Sequence, residues 1–196
     1  MKRRSRGFTL MELMVVLAIA AAVLAFGVPN FRDFQRNNRL TVAANSMLGL
    51  VLSSRGEALR RQTSISMCPS ADPTSTTATC GSGKGWIAFV DTNQTCTRIS
   101  SQELTGNATV DTDVNAAWNG DCITFSSTGF RVVKAGKPAI EHMMFCDSRK
   151  NTPRVPNSKE SAARGIEVQA TGRAAVVKFV DELTAWNTGT DKVACP

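Results

Sequence analysis

The sequence contains no tyrosine, one histidine and few aromatic side chains, with nine phenylalanines and three tryptophans among 196 residues. A single histidine excludes a multi-histidine metal site within one chain. That residue, His142, stands between Glu141 and Met143 in an apolar, strand-like string with no triad around it. None of the six cysteines forms a Cys-x-x-Cys pair, so their spacing argues against zinc. Gly81-Ser82-Gly83-Lys84-Gly85 superficially matches a phosphate loop but lacks its full spacing and the hydroxyl residue after the lysine. No catalytic constellation remains, no cofactor or metal is implied, and the chain reads as something other than an enzyme. The length suits one ordinary core with an extra element attached, and excludes a large multidomain enzyme. With 42% hydrophobic and 20% charged residues, the chain as a whole is not disordered.

The formal charge of +7 is concentrated at the start. Without Lys2, Arg3, Arg4 and Arg6, the basic count falls from 23 to 19 against 16 acids, a net of +3. The bulk charge is therefore a weak argument for nucleic acid. After that basic stub an apolar run extends from Phe8 to Pro29. At about 1.5 Å per helical residue it spans roughly 33 Å, enough for a bilayer core. Basic residues before the run place its start in the cytoplasm and the rest outside. A cleaved signal peptide fits less well, because no clear small-residue cleavage pattern follows the run and the helix continues beyond it. Glu12 is the sharper objection. A carboxylate deep in the membrane costs about 2.5–3.5 kcal/mol, so it calls for a partner. One partner is the amine created if the chain is cut just before Phe8, one helical turn away.

The string Gly7-Phe8-Thr9-Leu10-Met11-Glu12-Leu13 ahead of this run resembles the processing signal of type IV pilins and type II secretion pseudopilins. The resemblance implies cleavage between Gly7 and Phe8 by a prepilin peptidase, N-methylation of Phe8, and pairing of Glu12 with the amino terminus of an adjacent subunit. It also implies an inner-membrane assembly platform and other major or minor pilins or pseudopilins as partners.

Pro29, after Gly27 and Val28, predicts a bend or local break. The helical pattern then resumes, with Phe31, Phe34, Leu40, Val42, Ala43, Met47, Leu50, Val51, Leu52, Ala58 and Leu59 as an imperfect apolar stripe. One long helix from about Phe8 to Arg61 is expected. Past Arg61 the composition shifts to Thr, Ser, Asn, Asp and Gly. Short apolar strings predict strands at Ser64–Met67, Gly85–Val90, Cys122–Ser126, Phe130–Val133, Ile140–Cys146, Gly165–Gln169 and Ala174–Val180. Ser70–Thr79 and Lys150–Ser161 read as loops. Trp86, Phe89, Phe125, Phe130, Phe145 and Phe179 read as core. The expected fold class is α+β: a long N-terminal transmembrane helix on a small antiparallel β head of two sheets or one bent sheet. The divisions are a leader at 1–7, a membrane half of the helix at 8–29, an outer half at 30–62 and the head at 63–196.

All six cysteines follow the anchor, where an extracytoplasmic compartment favours disulfides. Composition alone permits fifteen complete pairings. Cys68 and Cys80 bracket a polar loop; Cys146 ends a strand and Cys195 sits in the tail; Cys96 with Cys122 is what remains.

Asn38-Arg39-Leu40 and Arg55-Gly56-Glu57-Ala58 resemble the helix of the minor pilins and pseudopilins FimT, FimU and GspH, with Ser54 in place of the usual alanine. Cys68-Pro69-Ser70, Gly85–Asp91, Ile123–Gly129, Phe145–Arg149 and Thr171-Gly172-Arg173 resemble their head. The resemblance implies a structural and priming minor pilin near the tip of a type IV pilus. It is anchored once in the inner membrane with a periplasmic head and incorporated into the pilus or pseudopilus. The alternatives are a type II secretion pseudopilin for protein export and a double-stranded-DNA-binding minor pilin for natural transformation. Arg131 through Lys178 holds ten basic residues and four acids, and Ser66 through Phe125 two basic residues and six acids. That asymmetry supports DNA as a ligand of Arg149, Lys150, Arg173 and Lys178. The Gly-Arg-x-Arg string of DNA-binding relatives is here Gly172-Arg173-Ala174-Ala175, without its second arginine.

Overall fold

The structure, a computed structural model, describes residues 8–98, 102–133, 136, 139–187 and 192–195. Helix α1 spans Leu10–Arg61, with Glu12 in its first turn and Arg60 and Arg61 in its last, each complementing the helix dipole. No local break interrupts it at Pro29. Beside that proline, which has no N–H to donate, the side chain of Asn30 donates from Nδ2 to the Phe26 carbonyl at 3.0 Å. At its far end Gln62 takes the left-handed conformation (φ 55°), and the Thr63 N–H reaches back to the Ala58 carbonyl, the Schellman way of ending a helix.

The chain divides into two compact units between Asn38 and Arg39, so the last part of α1 belongs to the head. In the first unit the helix is exposed all round from Leu10 to Arg36, including Phe31 and Phe34, which the apolar stripe placed inside.

Among the described residues the head contains nine strands: β1 Ile65–Ser70, β2 Gly85–Val90, β3 Leu104–Thr109, β4 Asn115–Trp118, β5 Ile123–Phe125, β6 Arg131–Val132, β7 His142–Cys146, β8 Glu160–Val168 and β9 Ala174–Phe179. They form two antiparallel sheets, ordered β3-β2-β1-β5-β6 and β4-β7-β8-β9. A short helix α2, Val180–Ala185, follows β9. Strands β3 and β4 were not expected from composition. Strand β8 begins inside the segment that reads as a loop, and Val180 opens α2 rather than ending a strand.

One face of α1 forms the wall that both sheets share. Leu40, Ala43, Ala44, Met47, Leu50, Val51 and Ala58 pack with Ile65, Met67, Trp86, Ala88, Ile123 and Phe125 of the first sheet. The same cluster takes in Met143, Phe145, Ile166 and Val168 of the second. Alternate residues point the other way, as the period of two requires. Cys68, Ile87 and Phe89 form a second cluster with Ala78, Cys96 and Cys122 under the loops of the first sheet. Met144, Cys146 and Ala163 form a third with Leu183 of α2 and Val193 of the tail. Val42, Leu52 and Leu59 of the expected stripe, and Phe130 and Phe179 of the expected core, are exposed instead. The helix face is narrower than the sequence suggests, and those two phenylalanines lie at or beyond strand ends, off all three clusters.

Disulfides join Cys68 to Cys80, Cys96 to Cys122 and Cys146 to Cys195, with Cα separations of 5.5, 6.1 and 5.9 Å. Between the first two, the buried Asp91 carboxylate organises its loop. It accepts hydrogen bonds from Ser66 Oγ at 2.8 Å, the Cys96 N–H at 2.8 Å, and both the N–H and the hydroxyl of Thr95. A buried carboxylate with this many donors is satisfied and structural. Gly165 lies directly beneath Leu183 and Trp186, where a Cβ would overlap both side chains, so the glycine lets α2 settle on β8.

Candidate functional site

Glu12 is exposed in the first turn of α1, with its own N–H donating to Thr9 Oγ1 at 3.2 Å. Phe8, Leu10, Met11, Leu13, Met14 and Leu17 around it are all more than half exposed. No described side chain forms an ion pair with Glu12. A segment that is apolar on every side has no inward face, so it needs either lipid or other helices around it. Gly7, on the other side of the expected cleavage, lies outside the described residues.

A second constellation forms where α1 meets the head turns. Arg55 Nε donates to the Gly129 carbonyl at 3.0 Å, reaching from the helix to the turn between β5 and β6. Gly172, in the turn between β8 and β9, lies against that same carbonyl, and a Cβ there would collide with the oxygen. Both glycines take positive φ, 78° and 76°. The two turns are also joined by the Arg131 N–H donating to the Ala170 carbonyl at 3.0 Å. Arg55, Gly129 and Gly172 belong to three sequence strings that are far apart along the chain, and they meet here. Two residues further along the helix, the Glu57 carboxylate accepts from Arg60 Nη2 and Arg61 Nε, both at 2.6 Å, and Arg61 Nη1 donates to Glu103 at 2.8 Å. The Arg60 and Arg61 hydrogen bonds hold Glu57 below the usual carboxylate range. The Arg61 hydrogen bond does the same for Glu103, and the two carboxylates raise Arg61. At the other end of the head, Arg39 pairs with Asp113 and Asp111.

The four candidate DNA contacts do not form a stripe. Arg149 turns onto Asp147 at 2.5 Å, and Lys178 pairs with Glu160 at 3.1 Å. Lys150 and Arg173 are exposed. The register sets Glu160 opposite Phe179 and Val168 opposite Ala174, so Arg173 and Lys178 occupy opposite ends of the second sheet. The five residues from Arg173 to Lys178 along β9, at about 3.3 Å each, separate the two by roughly 17 Å. Arg131 pairs with Glu141 at 2.6 Å, and Arg154 with Glu160 at 3.7 Å. Arg164 is buried, and desolvation lowers it from its ordinary value. Of the ten basic residues of this stretch, Arg131, Arg149, Arg154 and Lys178 are paired and Arg164 is buried, Lys150, Lys159 and Arg173 are exposed, and Lys134 and Lys137 lie outside the described residues. His142 stacks on Trp186 with ring centroids 4.4 Å apart, a packing role for the one histidine.

Comparison with known proteins bears on both constellations. A family model described as type II transport protein GspH matches residues 43–172, and one described as a prokaryotic N-terminal methylation motif matches residues 2–28. Two fimbrial proteins of Pseudomonas aeruginosa are 28% and 30% identical over 95 residues, covering 45% of this chain and 62% of theirs. The type IV major pilin protein PilA of Myxococcus xanthus (strain DK1622) is 38% identical over 52 residues, 26% of this chain and 24% of that protein. The chain therefore spans less than two thirds of the length of the curated relatives it matches. The crystal structure of the P. aeruginosa type IV minor pilin FimU superposes with a TM-score of 0.50 at 17% identity, covering 74% of this chain and 92% of FimU, so the fold is shared.

Two outcomes test the joint. Gly172→Ala combines a left-handed backbone with a backbone collision and should lower stability by roughly 1–3 kcal/mol, read from the thermal midpoint. An unchanged midpoint would show that the turns do not depend on that contact. A carboxylate held below its ordinary value stabilises the fold above that value and loses the contribution as pH falls through the folded pKa. Acidification through the glutamate range should therefore lower the midpoint of the native chain more than that of Arg61→Ala. Parallel pH curves would refute the linkage.

Proposed function

Because the chain belongs to the GspH family, whose model spans residues 43–172, we propose that it works as a minor pilin or pseudopilin, a structural subunit of an extracytoplasmic filament. The observation that carries this reading is the exposed carboxylate of Glu12 within an exposed, otherwise apolar helical segment. In lipid that charge is a liability. In a filament it becomes an address. Cleavage between Gly7 and Phe8 frees an amine, and the arrangement that brings a neighbour's amine to Glu12 removes the cost of the isolated charge. The subunit waits in the inner membrane with its head on the periplasmic side. A prepilin peptidase and N-methyltransferase process it, and an inner-membrane platform lifts it among other pilins or pseudopilins. The head then sets where in the filament the subunit fits, and a priming place near the tip is the role we assign.

Type IV pilus biogenesis is the first setting, supported by similarity to the pilus proteins of P. aeruginosa and M. xanthus. Type II secretion is the second, supported by the description of the matching family. A main task in DNA capture gains little from the geometry, since two of its four candidate cations are paired and Arg173 stands at the far end of the sheet from Lys178.

Glu12→Ala should insert in the membrane as well as the native chain or better, while its incorporation into filaments falls roughly tenfold or more, the consequence of losing about 1.4 kcal/mol of pairing energy. Immunodetection in membrane and sheared-filament fractions reads both quantities, and undiminished incorporation would sink the pairing. In parallel, a bulky residue at Gly7 should block removal of the first seven residues, a change visible by mass spectrometry of the membrane fraction. Normal cleavage there would defeat the processing assignment.

A further inference from the structure

In the first compact unit, Phe31 and Phe34 are the large apolar side chains left outside the apolar run. They follow Pro29, where the run ends, and precede Arg39, where the head unit begins. Phe31 is 60% exposed and Phe34 65%. Their neighbours in this stretch are asparagine, glutamine, arginine and aspartate, so a polar piece of helix carries two bare aromatic rings. At about 100° per helical residue, the rings fall about 60° apart on one face, while Arg32 and Arg36 fall about 40° apart on the nearly opposite one. Arg32 forms no ion pair among the described residues, and Arg36 has only the exposed Asp33 at 3.8 Å. Arg39, by contrast, is held by Asp111 and Asp113.

The helix also marks the level at which hydrocarbon gives way to a polar layer. Pro29 has no N–H, so the carbonyl of Ala25, four residues back, receives no bond from it. Beside it the Asn30 side chain donates to the Phe26 carbonyl at 3.0 Å. Deep in hydrocarbon an unfilled carbonyl and an amide side chain are costly; where water and headgroups begin they are not. Length gives the same level. On a helix tilted by about 20° and counted from Phe8, Pro29 comes at roughly 30 Å, the thickness of the hydrocarbon core. Phe31 then comes at roughly 32 Å and Phe34 at roughly 37 Å, within a headgroup layer that extends about 5–8 Å past the core. That layer supplies what the segment needs. It is amphipathic enough for aromatic rings, and its phosphate oxygens suit guanidinium groups.

We propose that residues 30–36 form an interfacial collar that binds the phospholipid headgroups of the outer leaflet. Phe31 and Phe34 enter the headgroup layer, Arg32 and Arg36 take its phosphate oxygens, and together they fix the depth at which the anchored subunit stands. A second copy of the chain is the competing occupant. It offers apolar helix to the rings, but at the same level it presents the same two arginines and no phosphate. The proposal rests on the reading of α1 as a membrane anchor, and it is independent of the pairing at Glu12.

The test uses the full chain in nanodiscs of phosphatidylcholine and phosphatidylglycerol, one chain per disc. A 4-fluorophenylalanine is placed singly at Leu17, Phe31 or Phe34. The ¹⁹F line widths are then read with a nitroxide carried on the lipid headgroup or at the end of the acyl chain. Leu17, midway along the run, should broaden with the acyl-chain nitroxide. Phe31 and Phe34 should broaden more with the headgroup nitroxide. Replacing both arginines, Arg32→Glu with Arg36→Glu, should remove most of the headgroup broadening at Phe34, while Arg32→Lys with Arg36→Lys retains it. A response at Leu17 with no headgroup response at Phe31 and Phe34 would overturn the collar and leave the anchor standing. No response at Leu17 would overturn both. Signals at Phe31 and Phe34 that change only when two chains share a disc would give the rings to a second copy and overturn the lipid assignment. Full headgroup broadening in the double glutamate variant would overturn the phosphate contacts.

Discussion

The head depends on one face of α1 being shared. A sheet of four or five short strands with one bare face is not stable in water. Here two such sheets solve the problem with a single helix. The small Ala43, Ala44 and Ala58 and the larger Leu40, Met47, Leu50 and Val51 of this face belong to one cluster with residues of both sheets. The two sheets share this wall and also touch directly, Trp86 of β2 standing edge-to-face with Trp118 of β4 at 5.2 Å. Removing the helix face would unroof both at once, which is why the compact unit begins at Arg39 and not at the first strand. The same continuous helix thus obeys two burial regimes: one-sided from Leu40 onward, and exposed all round before Arg36.

The opposite faces of the two sheets are closed by different means. Loops covalently tied at Cys68–Cys80 and Cys96–Cys122 cover the first sheet, and α2 with the tail, tied at Cys146–Cys195, covers the second. Irregular chain makes a poor cover on its own, because its backbone polar groups need partners. The Asp91 carboxylate and the Arg98 guanidinium supply those partners inside the loops of the first sheet, the one accepting from N–H groups and the other donating to carbonyls. Both are charged residues spent on backbone, and neither carries chemistry.

Those covers also decide what could be read from the sequence. The long helix was legible because its period persists over many turns, and β2 was legible because Gly85-Trp86-Ile87-Ala88-Phe89-Val90 is apolar on both faces, as a strand buried on both sides must be. Strands β3 and β4, with sequences Leu-Thr-Gly-Asn-Ala-Thr and Asn-Ala-Ala-Trp, carry little strand propensity. Their extended state comes from pairing at a sheet edge with β2 and β7, a tertiary cause with no local signal. The start of β8 was hidden for a related reason: its small residues, Ser161, Ala162 and Ala163, are buried, and small side chains read as loop. Pro29 does not break the helix, which runs on past its one missing donor. The Arg55 string stood out by resemblance, but no local pattern says that its guanidinium reaches a carbonyl 74 residues away. Charge sums are blind to pairing. They add residues that share a stretch of chain, whereas Arg149, Arg131 and Lys178 each face a carboxylate in space.

Set side by side, the charged residues of α1 show which part of the helix is complete within one subunit. Arg39 reaches Asp111 and Asp113, Arg55 reaches a carbonyl, and Glu57, Arg60 and Arg61 form a network that extends to Glu103. Every one of these partners lies in the head or on the helix itself. Glu12 shares the helix, but no side chain among the described residues forms an ion pair with it. It is also the one acid of the apolar run, where the low dielectric makes a missing partner most costly. Surface charges that are already matched contribute little to choosing a neighbour, because any exchange of partners is nearly balanced. An unmatched charge in a poor solvent is different: the free energy gained on pairing is the whole difference between lipid and a counter-ion. In the filament proposed for this chain, the selectivity of assembly resides at the Glu12 end of the helix. The joint around Arg55 is of another kind: it ties the helix to the Gly129 and Gly172 turns within the head itself.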